Sequence, residues 1–234
     1  KFILAKDYKI LPPEREVVFE SLSFETLKDL NVRELLNVQR RLKNEINSDP
    51  NDFLLLGQAF QQLAEKVLSY ETFQIGIKRL GGDKKSQLYR DMTFNAARFL
   101  ADCYAYKEAE KLLRELYDKG FTDGYVTGQL AKIRKTLAMK LGDQENLNEA
   151  LAYYKKGYDS ALEEMAVQDK LSDSWYAAVD QAIYNGINTA TMYMLKYNKE
   201  LCNKTAEEVI ELCSAKEVDK ISYWDQASMG EACL

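Results

Sequence analysis

The sequence predicts an all-α chain, a right-handed α-solenoid of about ten or eleven helices, on three observations. Only 3 prolines and 11 glycines interrupt 234 residues, far too few for a turn-rich β architecture. Apolar residues recur at helical spacing almost throughout. No stretch sustains the two-residue alternation of a strand.

The elements follow in order. Residues 1–22, with Phe2-Ile3-Leu4, Tyr8, Ile10 and Pro12-Pro13, read as an extended lead-in, the end of a preceding domain, and 23–234 as the helical domain. Asn31 and Glu34 have capping-box spacing, and Val32, Leu35, Leu42 and Ile46 line one face until Ser48-Asp49-Pro50 stops it. Phe53, Leu56, Phe60, Leu63 and Val67 form the next stripe, and Val126, Leu130, Ile133, Leu137 and Leu141 another. Leu147, Ala150, Leu151, Tyr154, Tyr158 and Ala161 follow, opened by Asn146 with Glu149 as capping box. Ile183, Ile187, Ala190, Met194 and Tyr197, then Ala206, Val209, Ile210 and Cys213, complete the series.

Helices of this length joined by short polar turns form bundles or repeats, and a repeat pattern decides between them. Residues 50–83 place Phe53, Leu56, Gly57 and Phe60 in a first helix and Ser69, Phe73 and Gly76 in a second. That is the tetratricopeptide arrangement, a helix pair of about 34 residues in which small residues let two helices approach closely. Residues 90–123 repeat it with Ala97, Leu100, Ala109, Leu113 and Leu116. Ala150/Tyr154/Gly157 and Ala206/Ile210/Cys213 read as later second helices, their first helices displaced by insertions around 141–146 and 165–183. Trp224-Asp225-Gln226-Ala227 reads as a first helix cut off from its partner, within an apolar stretch running to Cys233 and Leu234. A solenoid without its cap leaves a stacking face open, so homo-oligomerisation is expected there.

Three segments carry a family resemblance. They are Gly128-Gln129-Leu130-Ala131-Lys132-Ile133-Arg134-Lys135, Ala150-Leu151-Ala152-Tyr153-Tyr154-Lys155-Lys156-Gly157-Tyr158-Asp159 and Tyr184-Asn185-Gly186-Ile187-Asn188-Thr189-Ala190. In this order they resemble the tetratricopeptide-containing central region of the apoptosis signal-regulating kinases and its bacterial relatives, the MAP3K TRAFs-binding domain. The resemblance spans residues 50–234, with Ala131, Lys132, Arg134 and Thr136 standing where the family tends to have Gly, Arg, Tyr and Asp. It implies a regulatory, non-catalytic scaffold that positions partners or neighbouring domains of the same chain. In bacteria it implies company with sensor or effector domains, in signalling or phage-defence proteins.

Composition sets the chemical bounds. The chain has no histidine, which removes Ser-His-Asp and Cys-His nucleophile systems, His-liganded zinc and the Glu-x-x-His di-iron pattern. The 32 basic and 37 acidic residues give a formal charge of −5, without the basic field of a nucleic-acid binder. No apolar run approaches the roughly 20 residues that span a bilayer, so a soluble, cytoplasmic chain is expected. Cys103, Cys202, Cys213 and Cys233 form no CxxC pair and read as buried structural thiols in a reducing compartment, with no metal or cofactor expected. Gly76 to Ser86 resembles a phosphate loop, but Asp83 intervenes before Lys84 and a helix precedes it. Glu163-Glu164 and Glu207-Glu208 are neighbours about 100° apart around a helix, so neither pair converges on one atom.

The remaining candidates are Lys132, Arg134 and Lys135, beside the core position Ile133, together with Asn188. In a solenoid the first helices line the concave groove where partners dock. A cationic strip there would grip an acidic peptide or phosphate-bearing ligand; the structural alternative is solubility, or bonding to Asn188 in a neighbouring unit. The reading is thus a non-enzymatic interaction module of a larger signalling protein. The alternative is a ligand-sensing module whose groove takes a small anionic signal through those three cations.

Overall fold

A computed structural model describes residues 22–233. The lead-in expected over 1–22 lies, but for Leu22, outside the described residues, as does Leu234. Among the described residues there is no strand, and the α-helices are α1 (Phe24–Leu27), α2 (Val32–Asn44), α3 (Pro50–Gln62), α4 (Lys66–Arg79), α5 (Gln87–Asp102), α6 (Tyr106–Asp118), α7 (Gly124–Leu141), α8 (Gln144–Val167), α9 (Asp173–Leu195), α10 (Lys199–Ser214) and α11 (Tyr223–Ala232). The chain divides into two compact units, Lys1–Gly82 and Asp83–Leu234.

In the first unit, α2 opens on the expected capping box: the Asn31 side chain accepts from the Arg33 and Glu34 amides, and Glu34 accepts from Asn31 N–H. Leu35, Val38 and Leu42 are buried, but Ile46 lies beyond the end of α2 and is exposed. Asp49 caps α3, and Pro50 at its first position needs no hydrogen-bond partner for the amide it lacks. Phe53, Leu56 and Phe60 are buried as the stripe requires, whereas Val67 is exposed. The stripe crosses a turn: α3 ends at Gln62, and Ala64 takes a left-handed φ of 60°. The α3–α4 pair closes through Gly57, where a Cβ would lie 2.3 Å from the Phe73 ring. Arg79 returns from the end of α4 to donate to the carbonyls of Lys43 (2.9 Å), Glu45 (3.1 Å) and Ile46 (2.8 Å), the otherwise open end of α2.

In the second unit each helix from α5 to α11 packs on the next, α7 also touches α5 and α9, and α9 also touches α11. The hairpin turns share one design. Tyr104 and Tyr197 adopt left-handed φ values of 62° and 58°, as Ala64 does in the first unit. At all three turns the left-handed amide donates to the carbonyl three residues back, and the next amide to the carbonyl five back. Gly142 (φ 65°) takes the left-handed position between α7 and α8.

Several expectations are corrected here. The regions 141–146 and 165–183, read as insertions, hold no long loop: the first spans the end of α7, a short turn and the start of α8, and the second the end of α8, a short turn and the first half of α9, with α7 and α9 running to 18 and 23 residues. The cap of α8 is Asp143, not Asn146, because Gly142 ends α7 so early that Asn146 already lies inside the next helix. Val126, Leu130 and Ile133 are buried, but Leu141, Met194 and Tyr197 emerge at the exposed hairpin ends. On α10, Val209 and Cys213 are buried and Ile210 only partly. Of the cysteines only Cys213 is buried; Cys103 and Cys233 are exposed and Cys202 is intermediate. On α11 the expected polarity is inverted, with Trp224 75% exposed and Asp225 3%. The Asp225 carboxylate is drawn inward by Lys216, 2.6 Å away, which also reaches Asp180 at 2.7 Å.

Candidate interaction surface

The three segments that carry the resemblance lie on α7, α8 and α9 and meet around Asn185. Asn185 is fully buried, its amide donating to the Gly124 carbonyl at 3.1 Å and the Gln181 carbonyl at 2.9 Å. Glycines make room for it. A Cβ on Gly128 would lie 2.7 Å from its Oδ1, and one on Gly157 would lie 2.8 Å from Oδ1 and 2.5 Å from Thr127 Oγ1. A Cβ on Gly186 would lie 2.7 Å from Val209 and 2.9 Å from the Tyr158 ring. Asn185-Gly186 therefore lies within a helix, and its glycine serves close packing.

The four sequence-predicted residues divide. Arg134 turns toward α6 and α8: it pairs with Glu110, lies 2.9 Å from Glu149 through Nε, and donates to Asn146 Oδ1 at 2.8 Å. Arg114 joins the same two carboxylates at 2.6 and 3.9 Å. Lys135 turns toward α9, donating to Asn188 Oδ1 at 2.6 Å while its Nζ stands 5.5 Å from the centre of the Tyr154 ring. Asn188 in turn donates to the Tyr184 carbonyl at 2.8 Å. This is the bond to a neighbouring helix pair weighed as the structural alternative. Burial holds the Lys135 ammonium below its ordinary pKa, with Glu231 opposing and Lys132 reinforcing the effect. Lys132 is exposed to solvent.

The sequence did not single out Arg98, and marked Tyr184 only as the first residue of the third resembling segment. Arg98 is exposed on α5, 5.9 Å above the Phe94 ring, and its charge reaches Tyr184 on α9. Tyr184, partly exposed, packs edge-on to Tyr154 with ring centres 6.2 Å apart. Burial raises the Tyr184 pKa, with Arg98 and Tyr154 acting against it. Lys135, Tyr154, Tyr184 and Asn188 thus form one neighbourhood shared by α7, α8 and α9.

Elsewhere the arrangement is structural. Arg90 lies between the Phe94 and Tyr125 rings, 5.0 and 5.5 Å from their centres, and pairs with Asp123 at 2.6 Å and Asp91 at 2.8 Å. Burial pushes the Cys213 thiol up to about 11, so it stays protonated at neutral pH. The Gly76–Ser86 segment spans the last turn of α4 and the turn after it, with Gly81 left-handed, the geometry of a helix end. Two depressions, one along α6 beside Arg114 and one along α8 beside Lys155, are wide open to solvent. Among the described residues no group of three His, Cys, Asp or Glu could hold a metal ion, and no helix is long and apolar enough to cross a membrane. No family model matches the chain, and no curated protein matches it.

Proposed function

We propose that this chain is a tetratricopeptide-like helical-repeat module that holds a protein partner or a neighbouring domain within a larger signalling protein, as the resembling region of the apoptosis signal-regulating kinases does. The reading makes the chain a scaffold without catalysis of its own, its second unit a right-handed solenoid of stacked hairpins. The observation that supports it is the contact of α7 with both α5 and α9; on this reading the three are the first helices of successive hairpins lying side by side. Stacked hairpins of this kind recognise partners by an extended face rather than by an enclosed pocket. The small-ligand reading called for three convergent cations, and Arg134 is turned away from the other two.

The test is photo-cross-linking in the source cell. A photoreactive side chain at Gln129, on α7, is compared with one at Glu163, exposed on α8. A discrete protein partner, or a domain of the same chain, captured from Gln129 and not from Glu163 is the expected result. Capture from neither position would overturn the proposal.

A further inference from the structure

We infer that the exposed face of α11 is the contact surface of a symmetric dimer. Two copies of this chain pack their α11 helices antiparallel, and each lays Tyr223 on Gly230 of the other. The dimer is independent of whatever binds at α5, α7 and α9.

The first support is a pairing that recurs within the fold. Gly57, Gly128 and Gly186 lie inside helices, and a Cβ on each would fall 2.3, 3.0 and 2.9 Å from a ring of another helix, those of Phe73, Tyr184 and Tyr158. Gly230 also lies inside a helix, but nothing stands within 4 Å of its Cβ position. A glycine inside a helix is less stable there than alanine, and at 230 no close approach within the chain offsets the difference. The same helix carries the converse. Tyr223 and Trp224 are 73% and 75% exposed and pack edge-on, with ring centres 5.3 Å apart. So α11 holds rings without a glycine and a glycine without a ring.

The second support is their spacing. Tyr223, Ala227 and Gly230 are all exposed and step by four and then three residues, which sets them on one stripe of the helix. The other side of α11 is turned inward, where Asp225 meets Lys216 and Met229 packs against the cluster around Val209 and Cys213. In an antiparallel pair whose two-fold axis passes beside Ala227, residue 223 of one copy meets residue 230 of the other, and the reciprocal contact follows by symmetry. A second copy therefore brings ring and seat together, about 10 Å apart along the helix as the match requires. Any other helix would need both features at the same interval.

Charge permits this pairing. Residues 223–233 carry two charges: Asp225, buried against Lys216, and Glu231, which accepts from Thr191 at 2.8 Å. The two copies of Glu231 stand at opposite ends of the antiparallel pair, so no like charges meet at its centre. A fully covered aromatic side chain buries about 150–250 Å², so the four rings bring roughly 450–750 Å² to the contact before the helix surfaces between them are counted. That is small beside the roughly 1,200 Å² of a standard interface and sets a weak, reversible dimer, dissociating on the order of tens of micromolar.

Sedimentation equilibrium of the chain from about 1 to about 500 μM tests the dimer. The mass is expected to rise reversibly from 26.9 kDa to twice that value and no further. Tyr223→Ala should weaken the dimer by more than about tenfold, and Gly230→Ala should weaken it several-fold even though alanine favours the helix itself. Tyr104→Ala, which removes an equally exposed ring beyond the end of α5, should leave it unchanged. Circular dichroism verifies that each variant is folded. For the register, Cys103, Cys202 and Cys233 are replaced by serine, the buried Cys213 stays, and a single cysteine is introduced by Ala227→Cys or, on α8, by Glu163→Cys. A residue beside the two-fold axis meets its own copy, so oxidation should link two chains through position 227 and not through 163. Growth past the dimer, equal weakening by Tyr104→Ala, a dimer indifferent to Tyr223→Ala, or linking through 163 as readily as through 227 would each overturn the inference. A monomer at every concentration would overturn it as well and assign the α11 face to a different partner.

Discussion

Gly128 on α7 approaches Asn185 on α9 so closely that a Cβ added to the glycine would lie 2.7 Å from the asparagine Oδ1. Asn185 cannot retreat, since its amide is bonded to two carbonyls and Gly157 presses from α8. Gly128→Ala is therefore expected to destabilise the chain by about 1–3 kcal/mol. Gly230→Ala is the control: no atom lies within 4 Å of the added methyl, so relief of glycine's conformational freedom within α11 should stabilise by about 0.5–1 kcal/mol. Urea unfolding midpoints of the two variants should move in opposite directions, and a shift in the same direction would contradict this packing.

Arg134 and Lys132 are two residues apart but differ in role. Arg134, with its side chain 19% exposed, joins α7 to Glu110 and Glu149. Arg134→Ala removes the closer partner of Glu149 and leaves both half-buried carboxylates to Arg114 alone, and should cost about 1–3 kcal/mol. Lys132→Ala touches no partner and should change stability by less than about 0.5 kcal/mol. Chemical denaturation of both variants checks the contrast, and equal losses would refute it.

The buried pair Lys216–Asp225 makes the docking of α11 dependent on pH. Burial opposes the charge on Asp225, but bonds from Lys216 and from the Ser222 backbone and hydroxyl outweigh it and hold the carboxyl below its ordinary value. A lowered carboxyl contributes stability above the unfolded value of about 4, and that contribution fades as pH falls through the folded value. For Lys216, burial is outweighed by bonds to Asp180 and Asp225, which raise its pKa. Its contribution is full below the unfolded value of about 10.5 and fades as pH rises through the folded one. Unfolding midpoints measured from neutral pH down to about 2 should fall less steeply in Asp225→Asn than in the unmodified chain. Lys216→Met, which strands a buried carboxylate, should cost about 3–5 kcal/mol at neutral pH. An unchanged acid limb in Asp225→Asn would refute the coupling.

Tyr197 is 97% exposed with a φ of 58°. It gives up little packing, while its left-handed backbone carries a cost of roughly 1–2 kcal/mol that glycine largely avoids. Tyr197→Gly should hold or raise the melting temperature, and Tyr197→Val should lower it. Thermal unfolding showing the reverse order would assign the side chain a packing role.

These turns also explain what the sequence conceals. Stripes such as Phe53-Leu56-Phe60 and Val126-Leu130-Ile133 are legible because buried helix faces impose their period directly. The Gly57–Phe73 approach is legible because the small-aromatic pairing recurs in a fixed pattern. The helix ends at Ala64, Tyr104 and Tyr197 carry neither Gly nor Pro, so the period runs through them and places Val67 and Tyr197 in the core. Asp225 is buried only because Lys216, Asp180 and Ser222 converge on one point, and polarity alone assigns Trp224 to that position instead. Lys132, Lys135 and Asn188 were found through their place beside Ile133 and Ile187. The contact of Tyr184 with Tyr154 was not, because the packing of α8 against α9 makes it.

The alignment of α5, α7 and α9 is the premise of the interaction face, and a distance measures it. Nitroxide labels at Arg98→Cys and Asn188→Cys, with the native cysteines replaced, place one spin on α5 and one on α9, either side of α7. Two helix spacings of about 8–10 Å predict a single narrow distribution centred near about 20 Å by pulsed electron resonance. A distribution beyond about 35 Å, or one without a defined maximum, would show that the first helices of successive hairpins do not lie side by side, and the shared face would not exist.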